Sequence, residues 1–142
     1  MKTYVLDASV AAKWFLRAGE PLAEEAVELL RRHAKGEVDF AVPDLFFAEF
    51  TNIFWKAQRV GRCDAELADF AVDEIVNKGL STYPSAALIQ PALRIARALE
   101  RSVYDSLYIA LAVQTNSDFV TADEKLANST AGLLPVAWLG YV

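Results

Sequence analysis

Short apolar runs alternate with helix-periodic segments along the whole chain, and this alternation restricts the fold more than any other feature. Residues 3–6 are largely apolar and end at an acid, Asp7, which predicts a first strand buried in a sheet. Further strands are predicted over 40–43, 81–83, 118–121 and 134–139. Between them, Ser9 is a suitable N-cap for a short helix over 9–16. Residues 21–35 carry Leu22, Ala26, Leu29 and Leu30 at helical spacing, and Gly36 closes that segment. Asp44 and Asp64 are placed to cap helices reaching about Gln58 and Gly79. Pro84 begins a helix lasting to about Glu100, Ser102 opens one through Ala112, and Asp123 starts a short one to Asn128. Strands interleaved with helices in this way predict an α/β layered fold with a mainly parallel sheet.

The 142 residues fit one domain, 1–142, with no linker long enough to divide it. No apolar run approaches the roughly 20 residues that span a bilayer, and an acid at position 7 comes too early for a secretory signal; a cytoplasmic protein is the expectation. A single cysteine, Cys63, and a single histidine, His33, rule out an intrachain disulfide and a zinc site built from several such ligands. They also leave no Ser-His-Asp or Cys-His pattern, since His33 reads as the polar end of a helix. No glycine-rich phosphate loop follows any strand, so nucleotide binding of the P-loop or Rossmann kind is not expected. Chemistry in this chain falls to carboxylates.

Asp7, Glu49, Asp105 and Asp123 are the acids that matter. Asp7 and Asp123 each precede a helix and can cap it, and Asp105 stands fourth in Ser102-Val103-Tyr104-Asp105, the spacing of a capping motif. Glu49, Asn52 and Lys56 share a narrow polar stripe among Leu45, Phe46 and Ile53, which faces either solvent or a polar cleft. These readings are linked. Ligands of a parallel sheet bind beyond the carboxyl ends of its strands, where the strand order reverses, and Asp7 and Asp123 both follow strands. Carboxylates gathered there repel one another and resist desolvation, which a hard divalent ion with oxygen ligands relieves. Mg²⁺ suits such a set, with Mn²⁺ as the close substitute. An open site of this type suits phosphodiester hydrolysis without a histidine base.

The motifs that carry these acids resemble those of a known family. Val5-Leu6-Asp7-Ala8-Ser9-Val10-Ala11-Ala12-Lys13-Trp14-Phe15 resembles the opening of PIN-domain toxins of the VapC type. Pro43-Asp44-Leu45 followed by Glu49-Phe50-Thr51-Asn52 resembles their second motif, Ser102-Val103-Tyr104-Asp105-Ser106-Leu107-Tyr108 their third, and Phe119-Val120-Thr121-Ala122-Asp123-Glu124-Lys125-Leu126 their fourth. The resemblance covers nearly the whole chain in order, and Ser106 stands where many relatives carry Ala. It implies a three-layer α/β/α sandwich around a parallel sheet. It further implies that Asp7, Glu49, Asp105 and Asp123 form a metal site, supported by Ser9, Thr121 and Asn52. The implied activity is Mg²⁺- or Mn²⁺-dependent RNA cleavage leaving a 5′-phosphate, and the implied partners are RNA, a cognate antitoxin and a second copy of the chain.

The net charge of −5 argues against a nucleic-acid partner only weakly, because acids gathered at one metal site account for most of the excess. Lys13, Lys56, Arg59, Arg62 and Arg101 are candidate phosphate contacts, set against the usual role of such residues as solvated surface charge. Trp14, Phe15, Phe46, Phe47, Phe50, Phe54 and Trp55 read first as core, with Phe47, Phe54 and Trp55 the candidates for an outward, partner-binding face. Four other functions compete. A PIN-fold protein that no longer cleaves would not need the full acid set. A receiver-type signalling domain would show paired acids early in the chain, where Asp7 stands alone. An Asp-nucleophile phosphatase would want an acid at the position of Ser9. A nuclease acting on DNA shares the same metal chemistry.

Overall fold

The computed structural model describes residues 1–142. Its strands are β1 (Lys2–Leu6), β2 (Val38–Pro43), β3 (Ser81–Tyr83), β4 (Asp118–Thr121) and β5 (Val136–Trp138). They form one five-stranded sheet in the order β3-β2-β1-β4-β5, and every pairing is parallel. The helices are α1 (Ala8–Ala12), α2 (Ala23–Ala34), α3 (Leu45–Arg59), α4 (Ala65–Val76), α5 (Ile89–Leu99), α6 (Val103–Thr115) and α7 (Glu124–Thr130). None is long and apolar enough to cross a membrane.

Both faces of the sheet are covered. Phe40 pairs in register with Tyr4, and its ring meets Trp14 at 5.7 Å and stacks on His33 of α2 at 4.7 Å. Phe119 pairs with Val5, one position along β1, so its side chain leaves by the opposite face. There it stacks on Tyr108 of α6 at 5.2 Å. The result is the three-layer sandwich, and it explains why β1 ends in the fully buried run Tyr4-Val5-Leu6 with no alternation of polar residues. An aromatic ladder joins the helices beyond: Phe15 meets Phe50, Phe54 and Phe70 edge-on at 6.0, 6.0 and 6.1 Å. Phe50 also contacts Phe46 and Phe54 within α3.

Several local expectations change for identifiable reasons. Asp7, not Ser9, is the N-cap of α1, accepting a hydrogen bond from the Ser9 amide at 3.2 Å. That helix stops at Ala12 and tightens into i→i−3 turns through Phe15. Asp44 has helical backbone angles and makes no capping bond; its carboxylate takes the Ser85 amide at 3.0 Å and the Ser85 hydroxyl. The Asp44 amide donates to Tyr83 at 2.8 Å, so the junction of β2 and α3 is tied to the segment after β3. The helix expected over 84–100 is split into a 3-10 turn, Ser85–Leu88, and α5. Pro91 falls in the first turn of α5, where its missing amide and its clash with the carbonyl four residues back do no harm. The last strand is shorter than expected, giving way to a 3-10 turn at Leu139–Tyr141. Phe54 is only 1% exposed and belongs to the core, Phe47 is half-buried against it, and Trp55 alone of the three faces outward at 53%.

Phe50 touches three other rings from a fully buried position, so Phe50→Ala is expected to cost about 3–5 kcal/mol of unfolding free energy by urea titration. A loss well under 1 kcal/mol would show that the ladder does not hold α3 in place.

Candidate active site

With strand order 3-2-1-4-5, the chain leaves β1 toward one edge and later returns to its other side as β4. The boundary between β1 and β4 is the switch point, and an open crevice is expected beyond their carboxyl ends. Asp7 is the residue after β1, Thr121 the last of β4, and Asp123 lies two beyond it. The acids that follow strands therefore sit side by side because two neighbouring parallel strands end there.

Each carboxylate is held by specific donors. Asp7 accepts the Ser9 amide on Oδ1 and the Thr121 hydroxyl on Oδ2, the latter at 3.0 Å. The same Thr121 Oγ1 accepts the amide of Asp123 at 3.1 Å, so one hydroxyl ties both acids together. Asp123 Oδ1 caps α7 through the Leu126 amide at 3.0 Å, and Oδ2 takes the Arg101 guanidinium at 2.9 Å. That guanidinium also lies 3.8 Å from Asp105, one turn into α6. Ser102 caps α6 by accepting the Asp105 amide, so the Asp105 carboxylate is not used as the cap. Glu49 reaches in from α3, and Tyr108 of α6 donates to its Oε1 at 2.6 Å.

The crevice encloses about 230 Å³ and is lined by Asp7, Ala8, Ser9, Glu49, Asn52, Ile53 and Lys56. The polar stripe of α3 thus faces a cleft. Asp105 and Asp123 stand beside it, joined by Arg101. The four acids occupy one region as two halves, Asp7 with Glu49 and Asp105 with Asp123. No three of them approach closely enough to enclose an ion directly. An all-carboxylate oxygen set nevertheless fits a hard ion such as Mg²⁺, which keeps several of its waters. At roughly 30 Å³ per water, the crevice has room for them.

Electrostatics separate the acids. Burial pushes the Asp7 carboxyl up to about 6 against the hydrogen bonds from Ser9 and Thr121, and the charge of Glu49 adds to the rise. Burial also raises Glu49, opposed by the Tyr108 hydroxyl and reinforced by Asp105. For Asp123 burial again pushes upward, but the Leu126 amide and Arg101 outweigh it and hold the carboxyl below its usual value. Burial, together with Glu49, keeps the Tyr108 hydroxyl protonated, so it acts only as a donor toward Glu49. Tyr108 was legible in the third motif, yet only its burial beside a carboxylate reveals this role: a buried phenol needs a partner for its hydroxyl.

Of the candidate cations, Lys13 is 7% exposed and bound to Glu20 at 3.0 Å, and Arg62 holds the other oxygen of Glu20 at 2.8 Å. Arg59 lies over the Trp55 ring. Lys56 remains on the crevice wall.

Comparison with known proteins identifies the family. The family model described as PIN domain matches residues 4–131. The chain is a PIN domain. A curated relative, ribonuclease VapC3 of Pyrobaculum aerophilum, is 27% identical over 132 residues, covering 92% of this chain and 96% of that protein. Among solved structures, VapBC2 from Rickettsia felis bound to a DNA fragment from its promoter superposes with a TM-score of 0.69 at 17% identity, over 96% of this chain and 98% of that one. The sarcin–ricin-loop-cleaving toxin VapC20 of Mycobacterium tuberculosis gives 0.65 at 19% identity, over 92% and 95%. At those identities the structures bear on the fold of this PIN domain, which they share.

The raised Asp7 carboxyl has a definite consequence for stability. Its folded value of about 6 exceeds the ordinary 3.8, so the folded state holds the proton more tightly. The stability it contributes is present below about pH 4 and is lost as pH rises through about 6. In EDTA, Asp7→Asn is therefore expected to unfold at higher urea than wild type at pH 7, by an order of 1–3 kcal/mol, with the gap closing at pH 4. A variant less stable at pH 7 than at pH 4, relative to wild type, would contradict this.

Proposed function

We propose that this PIN domain is a Mg²⁺- or Mn²⁺-dependent endoribonuclease that serves as the toxin of a toxin–antitoxin pair. The observation that carries the reading is that Asp7 with Glu49 and Asp105 with Asp123, drawn from four separate segments, stand as neighbouring pairs around the switch point of the sheet. The match to the PIN family and the likeness to ribonuclease VapC3 support hydrolysis of RNA. The likeness to VapBC2 supports an antitoxin as partner. A homodimer in the cytoplasm completes the reading.

Asp7, Glu49, Asp105 and Asp123 would hold the ion together, some of them through the waters it retains. A divalent ion held there supplies Lewis acidity to the phosphate and lowers the pKa of a water enough for attack near neutral pH. The chain's own residues prepare the crevice for it. Ser9 and Thr121 fix the Asp7 carboxylate in one orientation, and Tyr108 fixes that of Glu49. Asn52 and Lys56 line the α3 wall, where an amide and an ammonium meet a phosphodiester entering from solvent. The excess negative charge of the chain is compatible with an RNA substrate because much of it sits at the site that the ion neutralises.

The test is cleavage of end-labelled RNA and of DNA of the same sequence. RNA is expected to be cut, EDTA to stop the reaction and Mn²⁺ to restore it. Loss of a ligand removes several kcal/mol of transition-state stabilisation, so Asp105→Asn should lower the rate at least about a hundredfold. Equal rates for wild type and Asp105→Asn would defeat the proposal, and preferential cutting of DNA would replace its substrate.

A further inference from the structure

Arg101 stands in the acidic region with no role in the function as so far described. It follows Glu100, whose left-handed backbone (φ 54) ends α5, and it precedes Ser102, the cap of α6. That position is fixed by the chain: the Arg101 amide donates to Ala96 at 3.2 Å, closing the end of α5. From there the side chain turns back over the first turn of α6. Its guanidinium bonds Asp123 at 2.9 Å and approaches Asp105 at 3.8 Å. No other cation pairs with either of these acids.

We propose that Arg101 is a tethered cation that balances the Asp105–Asp123 half of the crevice when no metal is there, and that must swing aside before a divalent ion can use those two carboxylates. The inference rests on the metal-site reading above. Two like charges brought together by β4 and α6 repel unless something positive lies between them. A guanidinium does this from within the chain. No cation pairs with Asp7 or Glu49, whose carboxylates accept from an amide and two hydroxyls, although Lys56 lines the same crevice. The two halves therefore differ in readiness. Ion entry beside Asp7 and Glu49 breaks no ion pair, whereas entry between Asp105 and Asp123 competes with Arg101.

The competitor is built to yield. Its side chain is 28% exposed and its partners are 46% and 42% exposed, a setting in which an ion pair contributes little stability. An arginine on a flexible stem is released without unfolding anything, whereas a divalent ion between the same oxygens interacts with twice the charge. Arg101 is thus a positioning residue that sets the affinity of one half of the site, and its charge opposes metal binding there.

A residue that merely stabilised the fold would weaken metal binding when removed; Arg101 is expected to do the reverse. The measurement is calorimetric titration of Mn²⁺ alone, without RNA, into wild type, Arg101→Gln, Arg101→Lys and Asp7→Asn, with melting temperatures in EDTA and in Mn²⁺. Removing a positive charge a few ångströms from the ion should tighten Mn²⁺ binding by Arg101→Gln at least about tenfold relative to wild type. It should also enlarge the rise in Tm on adding Mn²⁺, even where the metal-free variant melts lower than wild type. Arg101→Lys, which keeps the charge, should stay nearer wild type than Arg101→Gln does. Unchanged or weaker Mn²⁺ binding by Arg101→Gln, with wild-type binding that still depends on Asp7, would overturn this inference alone. Wild-type binding that is indifferent to Asp7→Asn would remove the metal-site reading and this inference with it.

Discussion

The hydroxyl of Thr121 joins the parts of the site. It donates to Asp7 at the end of β1 and accepts the amide of Asp123 beyond the end of β4. It does so only because those two strands are parallel neighbours in register, with Leu6 beside Val120. A slip of one residue would turn the threonine to the opposite face and leave the most deeply set carboxylate without its donor. The sheet pairing, the first acid and the last acid are therefore one arrangement. Glu49 is added to it by α3, which forms a wall of the crevice, and Asp105 stands beside it on α6.

The same arrangement works against stability. Asp7 is set where its charge is disfavoured, and Glu49 is raised for the same reason. A chain selected for stability alone would place neutral groups there. The surrounding packing offsets this cost, with a buried cluster of 34 residues spanning the sheet and its helices. The aromatic ladder from Phe15 through Phe50 to Phe54 fixes α3 closely enough that Glu49 points inward. Strain at a carboxylate and rigidity in the helix behind it are complementary parts of one design.

Much of this was legible in the sequence. Strand and helix alternation led directly to a parallel sheet, and the residues after the strands led to its switch point. The polar stripe of Glu49, Asn52 and Lys56 identified the α3 wall, because a narrow polar strip among large apolar side chains has few places to go. Capping by Asp7 and Asp123 leaves a second oxygen for the site: each holds a helix amide on Oδ1 and meets a neighbour with Oδ2. What remained hidden depended on contacts between distant segments. Asp44 looks like a cap locally, but Ser85, 41 residues away, captures its carboxylate. Phe54 and Trp55 are adjacent and both aromatic, and only the docking of α4 and Phe15 on α3 decides that the first is buried. Arg101 reads as a candidate phosphate contact or a solvated charge until α6 and β4 bring two acids to it.

The central claim is that these carboxylates together hold a hard cation. Anomalous diffraction from crystals grown in Mn²⁺ tests it most directly. A strong peak is expected in the crevice, bonded to oxygens from the set Asp7, Glu49, Asp105 and Asp123 at about 2.0–2.3 Å and completed by ordered water. A crevice without a peak at saturating Mn²⁺, or an ion bound only elsewhere on the surface, would contradict it.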